Sequence, residues 1–186
     1  MTVTYFRRFC MRFDLREGLS EETALPKNYS LEPWSTKLVK DHAAAKFRSF
    51  RSEMDSNVFP CLGSEVGCLK LMKEISCRQG FLPSATWLIR YNNPITGVAE
   101  SCGTIQGIQE QVDVGSIQNI GIVPSHRSLG LGSCLLTRSL AGFREVGIQF
   151  VTLEVTSHNT GAIRLYQRMG FCIVRTVYKS ADLLYT

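Results

Sequence analysis

This sequence predicts an α/β fold (α+β-like in its strand order) on a mixed central sheet, and three observations carry the prediction. Apolar runs rich in β-branched and aromatic residues alternate with helical periodicities through the second half of the chain. Two such runs flank the turn residues Asn92, Asn93, Pro94, Thr96 and Gly97, which is antiparallel hairpin chemistry. A strand–helix–strand succession after residue 115 implies two parallel strands joined by a crossover.

The elements follow in order. Residues 4–14 alternate in part and are rich in Phe, so a first strand is expected. Residues 17–33 are polar, carry Gly18, Pro26 and Pro33, and read as loop. Ser35 or Thr36 can cap a helix running to about residue 54, with Leu38, Val39, Ala43, Phe47 and Phe50 at helical spacing. Residues 60–63 break the chain. A second helix over residues 64–79 turns Val66, Leu69, Leu71, Met72 and Ile75 mostly inward, and Gly80 suits its C-terminal cap. Residues 86–91 and 98–105 form the hairpin, and a third strand over 115–123 ends at Pro124. The helix over 132–146 buries Leu135, Leu136, Leu140 and Phe143 and stops at Gly147. Residues 150–156 return to strand. Asn159 then caps a short helix carrying Ala162, Ile163, Tyr166 and Met169, closed by Gly170, and residues 171–178 form a final strand.

Bulk properties set the frame. A chain of 186 residues fits one domain with a real core, and 44% hydrophobic with 20% charged residues is ordinary for a globular protein. No run approaches the roughly 20 apolar residues of a membrane span. The opening residues 1–9 lack the apolar region of a secretory signal, so a cytoplasmic protein without a membrane partner is expected. A formal charge of +5 helps attract a polyphosphate ligand, yet no Lys/Arg block is dense enough for nucleic acid. Arg7 and Arg8 read as strand flanks. Seven cysteines with no C-x-x-C pair, and three histidines without ligand spacing, favour reduced thiols and no metal.

The most informative stretch is Pro124-Ser125-His126-Arg127-Ser128-Leu129-Gly130-Leu131-Gly132-Ser133. It stops a strand and opens a helix whose first N–H groups and positive dipole end suit an anion. The glycines admit close backbone approach, and Arg127 adds a cation fitted to phosphate oxygens. Three phosphate chemistries compete for this junction. A P-loop fails because no G-K-[ST] follows. A dinucleotide fingerprint has Glu154 near the right distance. However, Leu135 stands where its third glycine belongs, and a hairpin and two helices precede the motif.

The third reading is Arg-x-x-Gly-x-Gly, which resembles the coenzyme A pyrophosphate loop of the GNAT superfamily of acyl-CoA N-acyltransferases. Downstream, Leu153-Glu154-Val155, Asn159, Ala162, Leu165-Tyr166 and Gly170-Phe171 resemble the second motif of that superfamily, so the likeness covers roughly residues 112–175. The resemblance implies a GNAT fold over residues 1–186, with two splayed parallel strands in a mixed sheet flanked by helices. Acceptor-side helices would span about 36–80 and the acetyl-CoA-binding core about 85–180. Backbone groups of Ile120, Gly121 and Ile122 and the loop residues Arg127, Ser128, Leu129, Gly130, Leu131, Gly132 and Ser133 would hold acetyl-CoA, with Asn159 beside them.

By the same resemblance the protein is an N-acetyltransferase moving acetyl from acetyl-CoA to a primary amine by direct attack in a ternary complex. Tyr166 would protonate the departing thiolate, and a backbone N–H near Ile122 would serve the oxyanion. Glu154 would take the amine's proton, its spacing to Tyr166 being similar to that in bacterial N-terminal alanine acetyltransferases. Glu110 and Asp113 are weaker bases. A non-catalytic acyl-CoA sensor of the same fold is the alternative. Cys134 has no base placed near it, so an acyl-enzyme is not expected, and His126 and His158 read as bystanders. The acceptor, a small-molecule or peptide amine, is unnamed. The usual last hairpin strand would have to be residues 181–185, so the acceptor pocket would be incomplete or finished by a second copy in a homodimer.

Overall fold

The computed structural model describes residues 3–19 and 24–182. Seven strands form one sheet in the order β2-β3-β4-β5-β6-β1-β7. They are β1 (Val3–Asp14), β2 (Tyr29–Pro33), β3 (Phe81–Asn92), β4 (Ala99–Gln109), β5 (Val114–Ile122), β6 (Phe150–Thr156) and β7 (Cys172–Asp182). Helices α1 (Val39–Phe50), the single turn α2 (Asp55–Val58) and α3 (Glu65–Ser76) lie between β2 and β3. Helix α4 (Leu131–Glu145) crosses from β5 to β6, and α5 (Thr160–Arg168) joins β6 to β7.

Strand alternation divides the sheet into two faces. Met11, Phe13, Ile105, Val151, Leu153 and Val155 point into the main core with Leu135, Leu136 and Phe143 of α4 and Tyr166 of α5. Their neighbours Arg8, Cys10, Thr104, Gln106, Thr152, Glu154 and Thr156 occupy the opposite face. There α1 packs, with a smaller core of Ala43, Leu62, Cys68 and Met72 behind it.

Local chemistry accounts for the element ends. Ser35 caps a 3-10 turn (Thr36–Leu38) that leads into α1, Ser64 caps α3, and Asn159 caps α5. Asn93 accepts from the backbone N–H groups of Ile95 and Thr96 in the β3–β4 turn.

Four expectations need correction. Residues 29–33 are a strand rather than loop; Pro33 is tolerated because β2 is an edge strand and Pro33 is its last residue. Gly80 is not a left-handed cap. It is pressed against β4, where its carbonyl accepts from Gln109 N at 2.7 Å and an added Cβ would collide with the Gln109 carbonyl. Val66 is exposed instead of buried. On α1 the fully buried positions are His42, Ala43, Ala45, Lys46 and Ser49. Periodicity shows only the stripe of Val39, Ala43, Phe47 and Phe50, which packs in the smaller core; a second face lies on Thr104, Gln106 and Asn119, where His42 Nδ1 and Lys46 Nζ find partners and His42 Nε2 has none among the described residues.

The first strand has the largest consequence. β1 inserts between β6 and β7, antiparallel to both, with a register running from Arg8↔Thr156 to Asp14↔Phe150 on one side. β1, through Arg8 and Cys10, and β7, through Arg175 and Lys179, line the same cavity. Ala181 and Asp182 merely end β7, and residues 183–185 lie outside the described residues.

Candidate functional site

β5 and β6 are the only parallel pair among the described strands, and they stay together for three positions: Val114↔Phe150, Gly115↔Val151 and Ser116↔Thr152. Beyond Ser116 the strands part. A bulge in β5 helps: its pairing with β4 jumps from Gly107↔Ile117 to Gln106↔Asn119, leaving Gln118 as the extra residue and bending the strand. Val123 N donates to Cys102 O, so Val123 and, by alternation, Gly121 and Asn119 turn their backbone groups to β4. Ile120 and Ile122 turn theirs into the gap, where no strand meets them. Such groups need partners.

Two cavities meet at this gap, since Phe50, Asp55, Ile120, Asn159, Ala162 and Tyr166 line both. The α4-side cavity has a volume of about 490 Å³. Of the predicted cofactor set, Ile120, Gly121, Ile122, Arg127, Ser128, Gly130, Leu131, Gly132, Ser133 and Asn159 line it; Leu129 does not and is exposed. Gly130 occupies the N-cap of α4 at φ 78° with no side-chain cap on the helix, and Ser128 is also left-handed at φ 63°. This backbone turns the first amides of α4 toward the cavity, a seat for an anion.

Arg127 is more engaged than its motif suggests. Its guanidinium donates to Glu53 Oε1 at 2.7 Å, Ile122 O at 3.0 Å and Ser49 O at 3.1 Å, tying the loop to the end of α1. His126 is a structural residue, wedged between Tyr29 Oη at 2.8 Å and Glu100 Oε1 at 2.9 Å. Cys134 is buried and lines neither cavity.

The α3-side cavity, about 570 Å³, is made of side chains from distant segments. Arg8 on β1 is its hub. It donates to Thr156 Oγ1 at 2.8 Å, Asp55 Oδ1 at 3.3 Å and Glu154 Oε2 at 3.4 Å, and its guanidinium sits 4.9 Å from the Phe59 ring centroid. Thr156 in turn donates to Asp55 at 2.9 Å. Sequence reasoning read Arg8 as a strand flank and Asp55 as one of several charges on the acceptor side, and missed their pairing. No local signal marks them, because the strand insertion and the single turn α2 bring them together. Glu154 lies on this face with its side chain 45% exposed to the cavity. Glu110 also lines it, whereas Asp113 does not.

Tyr166 sits on the other side of β6, 6% exposed and packed near Phe171. Burial first, and then the Asp55 carboxylate, push its phenol well above the ordinary value of 10.0, so it keeps its proton at neutral pH. Asn159 Oδ1 accepts from Ala162 N at 3.1 Å and so caps α5 while its residue borders both cavities. Behind the site, Lys46 is fully buried and donates to Gln106 Oε1 at 2.7 Å and Asn119 Oδ1 at 2.6 Å. With two neutral acceptors and no carboxylate, burial pushes its ammonium down to about 7. No cluster of metal-ligating side chains occurs among the described residues.

A parted parallel pair beside an amide-rich helix start is the architecture that the loop motif implied. Residues 64–171 match the model of the Acetyltransferase (GNAT) family. The chain belongs to this family. As a GNAT protein it shares its fold with a GCN5-related N-acetyltransferase of Sphaerobacter thermophilus (TM-score 0.66, 20% identity, 94% of this chain and 50% of that one). It likewise shares its fold with the ribosomal-protein-S18-alanine N-acetyltransferase of Escherichia coli (TM-score 0.60, 16% identity, 84% of this chain and 96% of that one). In sequence it is 36% identical over 84 residues to a mycothiol acetyltransferase of Thermobispora bispora, covering 40% of this chain and 28% of the relative. It is 35% identical over 79 residues to an N-alpha-acetyltransferase of Arabidopsis thaliana, covering 41% of this chain and 42% of the relative. The chain spans less than half the length of these curated relatives. No helix among the described residues is long and apolar enough to cross a membrane.

Proposed function

We propose that this GNAT protein transfers acetyl from acetyl-CoA to a primary amine by direct attack, with the thioester in the β5–β6 gap. The observation that carries the reading is the gap itself: a β5 edge at Ile120 and Ile122 that no strand pairs, with only Ile122 O taken up, by Arg127, an anion seat on one side and a polar cavity on the other. Pantetheine amides pair with the free edge of β5, and the pyrophosphate meets the first amides of α4 at Gly130 to Ser133.

The amine enters from the α3-side cavity and must be neutral to attack. Glu154, open to that cavity, accepts the amine's proton as the C–N bond forms. The thioester oxygen takes up charge beside the backbone N–H of Ile122. As the C–S bond breaks, Tyr166, which borders both cavities, donates its proton to the departing sulfur. Glu154 and Tyr166 both line the α3-side cavity, and Tyr166 also lines the α4-side one, so the reacting carbon sits between them where the two cavities meet. Cys134 lines neither cavity, which supports direct transfer over an acyl-enzyme.

A thiol-release assay with acetyl-CoA across polyamines, amino acids, aminoglycosides and peptide N-termini tests the reading. Tyr166→Phe should lower kcat about 100-fold while leaving acetyl-CoA affinity, followed by calorimetry, within about twofold. Equal turnover in the variant removes the acid role. A thermal shift with a nicotinamide dinucleotide and none with acetyl-CoA removes the whole reading.

A further inference from the structure

We infer that the α3-side cavity takes an amine that also carries a carboxylate, read by Arg175 and Lys179 of β7. The inference rests on the acetyl-transfer reading above. Its starting point is the charge balance of the cavity wall, which holds Arg8, Arg175, Lys179, Asp55, Glu110 and Glu154. Arg8 is spent on Asp55 and Glu154. Among the described residues no carboxylate lies within ion-pair distance of Arg175 or Lys179. Lys179 Nζ instead rests 3.8 Å from the Phe59 ring centroid, and that ring also carries the Arg8 guanidinium. Cation–π contact holds the ammonium in place without neutralising it.

The register sets the distance between the two ends of the acceptor. Glu154 pairs with Cys10, and Cys10 pairs with Arg175, so the three form one row across the sheet on the cavity face. At about 4.8 Å per strand, Glu154 and Arg175 are roughly 10 Å apart at the backbone, and both line the cavity. Cys10, buried and small, leaves the space between them open. Lys179 lies on β7 opposite Phe6, on the same face two positions along from Val177. An acceptor with its amine toward Glu154 and a monoanion toward Arg175 and Lys179 meets opposite charge at both ends. A polyamine would set its second cation against two unpaired cations. The three cations and three carboxylates of the wall cancel, so an amine with one carboxylate keeps the cavity neutral, whereas one with a dianionic phosphate leaves it negative.

The experiment uses straight-chain ω-amino acids of three to six carbons, each matched with its carboxamide and with an aminoalkyl phosphonate of equal length. Binding is measured by calorimetry on the full chain saturated with coenzyme A, and turnover by thiol release with acetyl-CoA. At the best length the acid should bind at least about tenfold tighter than its carboxamide. In the double variant R175Q/K179Q the acid should fall to within about twofold of the carboxamide. Both residues are exposed on an edge strand, and urea melting checks the fold. Equal affinity of acid and carboxamide for the unaltered chain, no binding of either, or tighter binding of the phosphonate overturns the inference. So does a preference that survives the double variant. If acid and carboxamide bind equally yet both are acetylated, the inference fails and acetyl transfer stands. If the acid is preferred in binding but nothing is acetylated, the transfer reading fails and the carboxylate site stands.

Discussion

The cavity on the α4 side of the gap and the cavity on the α3 side differ in material. The first is largely backbone: the edge of β5 and the loop into α4 belong to one continuous stretch, and their geometry is fixed by Gly130 and Ser128 in left-handed conformations. The second is side chains drawn from β1, α2, α3, β6 and β7, held by ion pairs and hydrogen bonds around Arg8. Backbone geometry serves a ligand whose chemistry does not vary, because any sequence compatible with the turn supplies the same amides. Side chains gathered from many segments can be changed one at a time, which suits recognition of a particular acceptor. The contrast makes separate predictions for each side.

The largest effect is expected where a single residue sets the backbone. Gly130→Val forces a β-branched residue to φ 78°, a strain on the order of 1–3 kcal/mol that the loop relieves by turning its amides away. The affinity for acetyl-CoA should fall about 50-fold by calorimetry, and the KM for amine should stay within about twofold. Loss confined to the amine KM would break the division between the cavities.

Next in size is a dependence on pH that belongs to the α3 side, where stability rests on buried polar groups. An unfolded lysine keeps its ordinary value of 10.5, whereas Lys46 in the folded chain is pushed down to about 7. Between these values the unfolded chain binds a proton that the folded chain does not, so stability rises with pH across this window. Below about pH 7 the full penalty of the buried charge applies. Urea unfolding should show a gain on the order of 2 kcal/mol from pH 7 to pH 9 that Lys46→Met lacks. Lys46→Met also strands the Gln106 and Asn119 oxygens and lowers stability at every pH. The slope, not the offset, therefore carries the test, and equal slopes would place the Lys46 amine in contact with water.

The same difference in material explains what was legible in the sequence. Strands β3 to β7, helices α4 and α5 and the Arg127–Gly130–Gly132 loop could be read because each depends on neighbours a few residues away: turn residues, caps, alternation and glycines at special angles. α1 was legible as a helix and in its apolar stripe, but not in the face it turns to the sheet, since His42 and Lys46 are buried by partners about 60 residues distant. β2 lay hidden in a polar, proline-bearing stretch because Tyr29 gains its value only by stacking on Tyr91 and bonding His126. The pairing of Arg8 with Asp55 was illegible for the same reason at larger scale. Nothing near Arg8 says that β1 will slide between β6 and β7, and only that placement puts a guanidinium beside Glu154 and Asp55.

Arg127 is where the two materials meet, and the smallest effect belongs there. The motif implies a phosphate ligand, yet its guanidinium already spans Glu53, Ser49 O and Ile122 O. A side chain 42% exposed and paired with Glu53 gives up little by itself, because solvent screens such a pair. Its larger contribution is to join α1 to the end of β5, next to the edge where pantetheine would pair. Arg127→Ala should therefore raise the KM for acetyl-CoA about threefold, with the same factor for dephospho-coenzyme A esters, since bracing the edge is indifferent to the phosphates. A rise of 100-fold that shrinks with added salt would mean that Arg127 leaves Glu53 for the ligand. The cofactor side would then depend on a charged side chain as much as the acceptor side does.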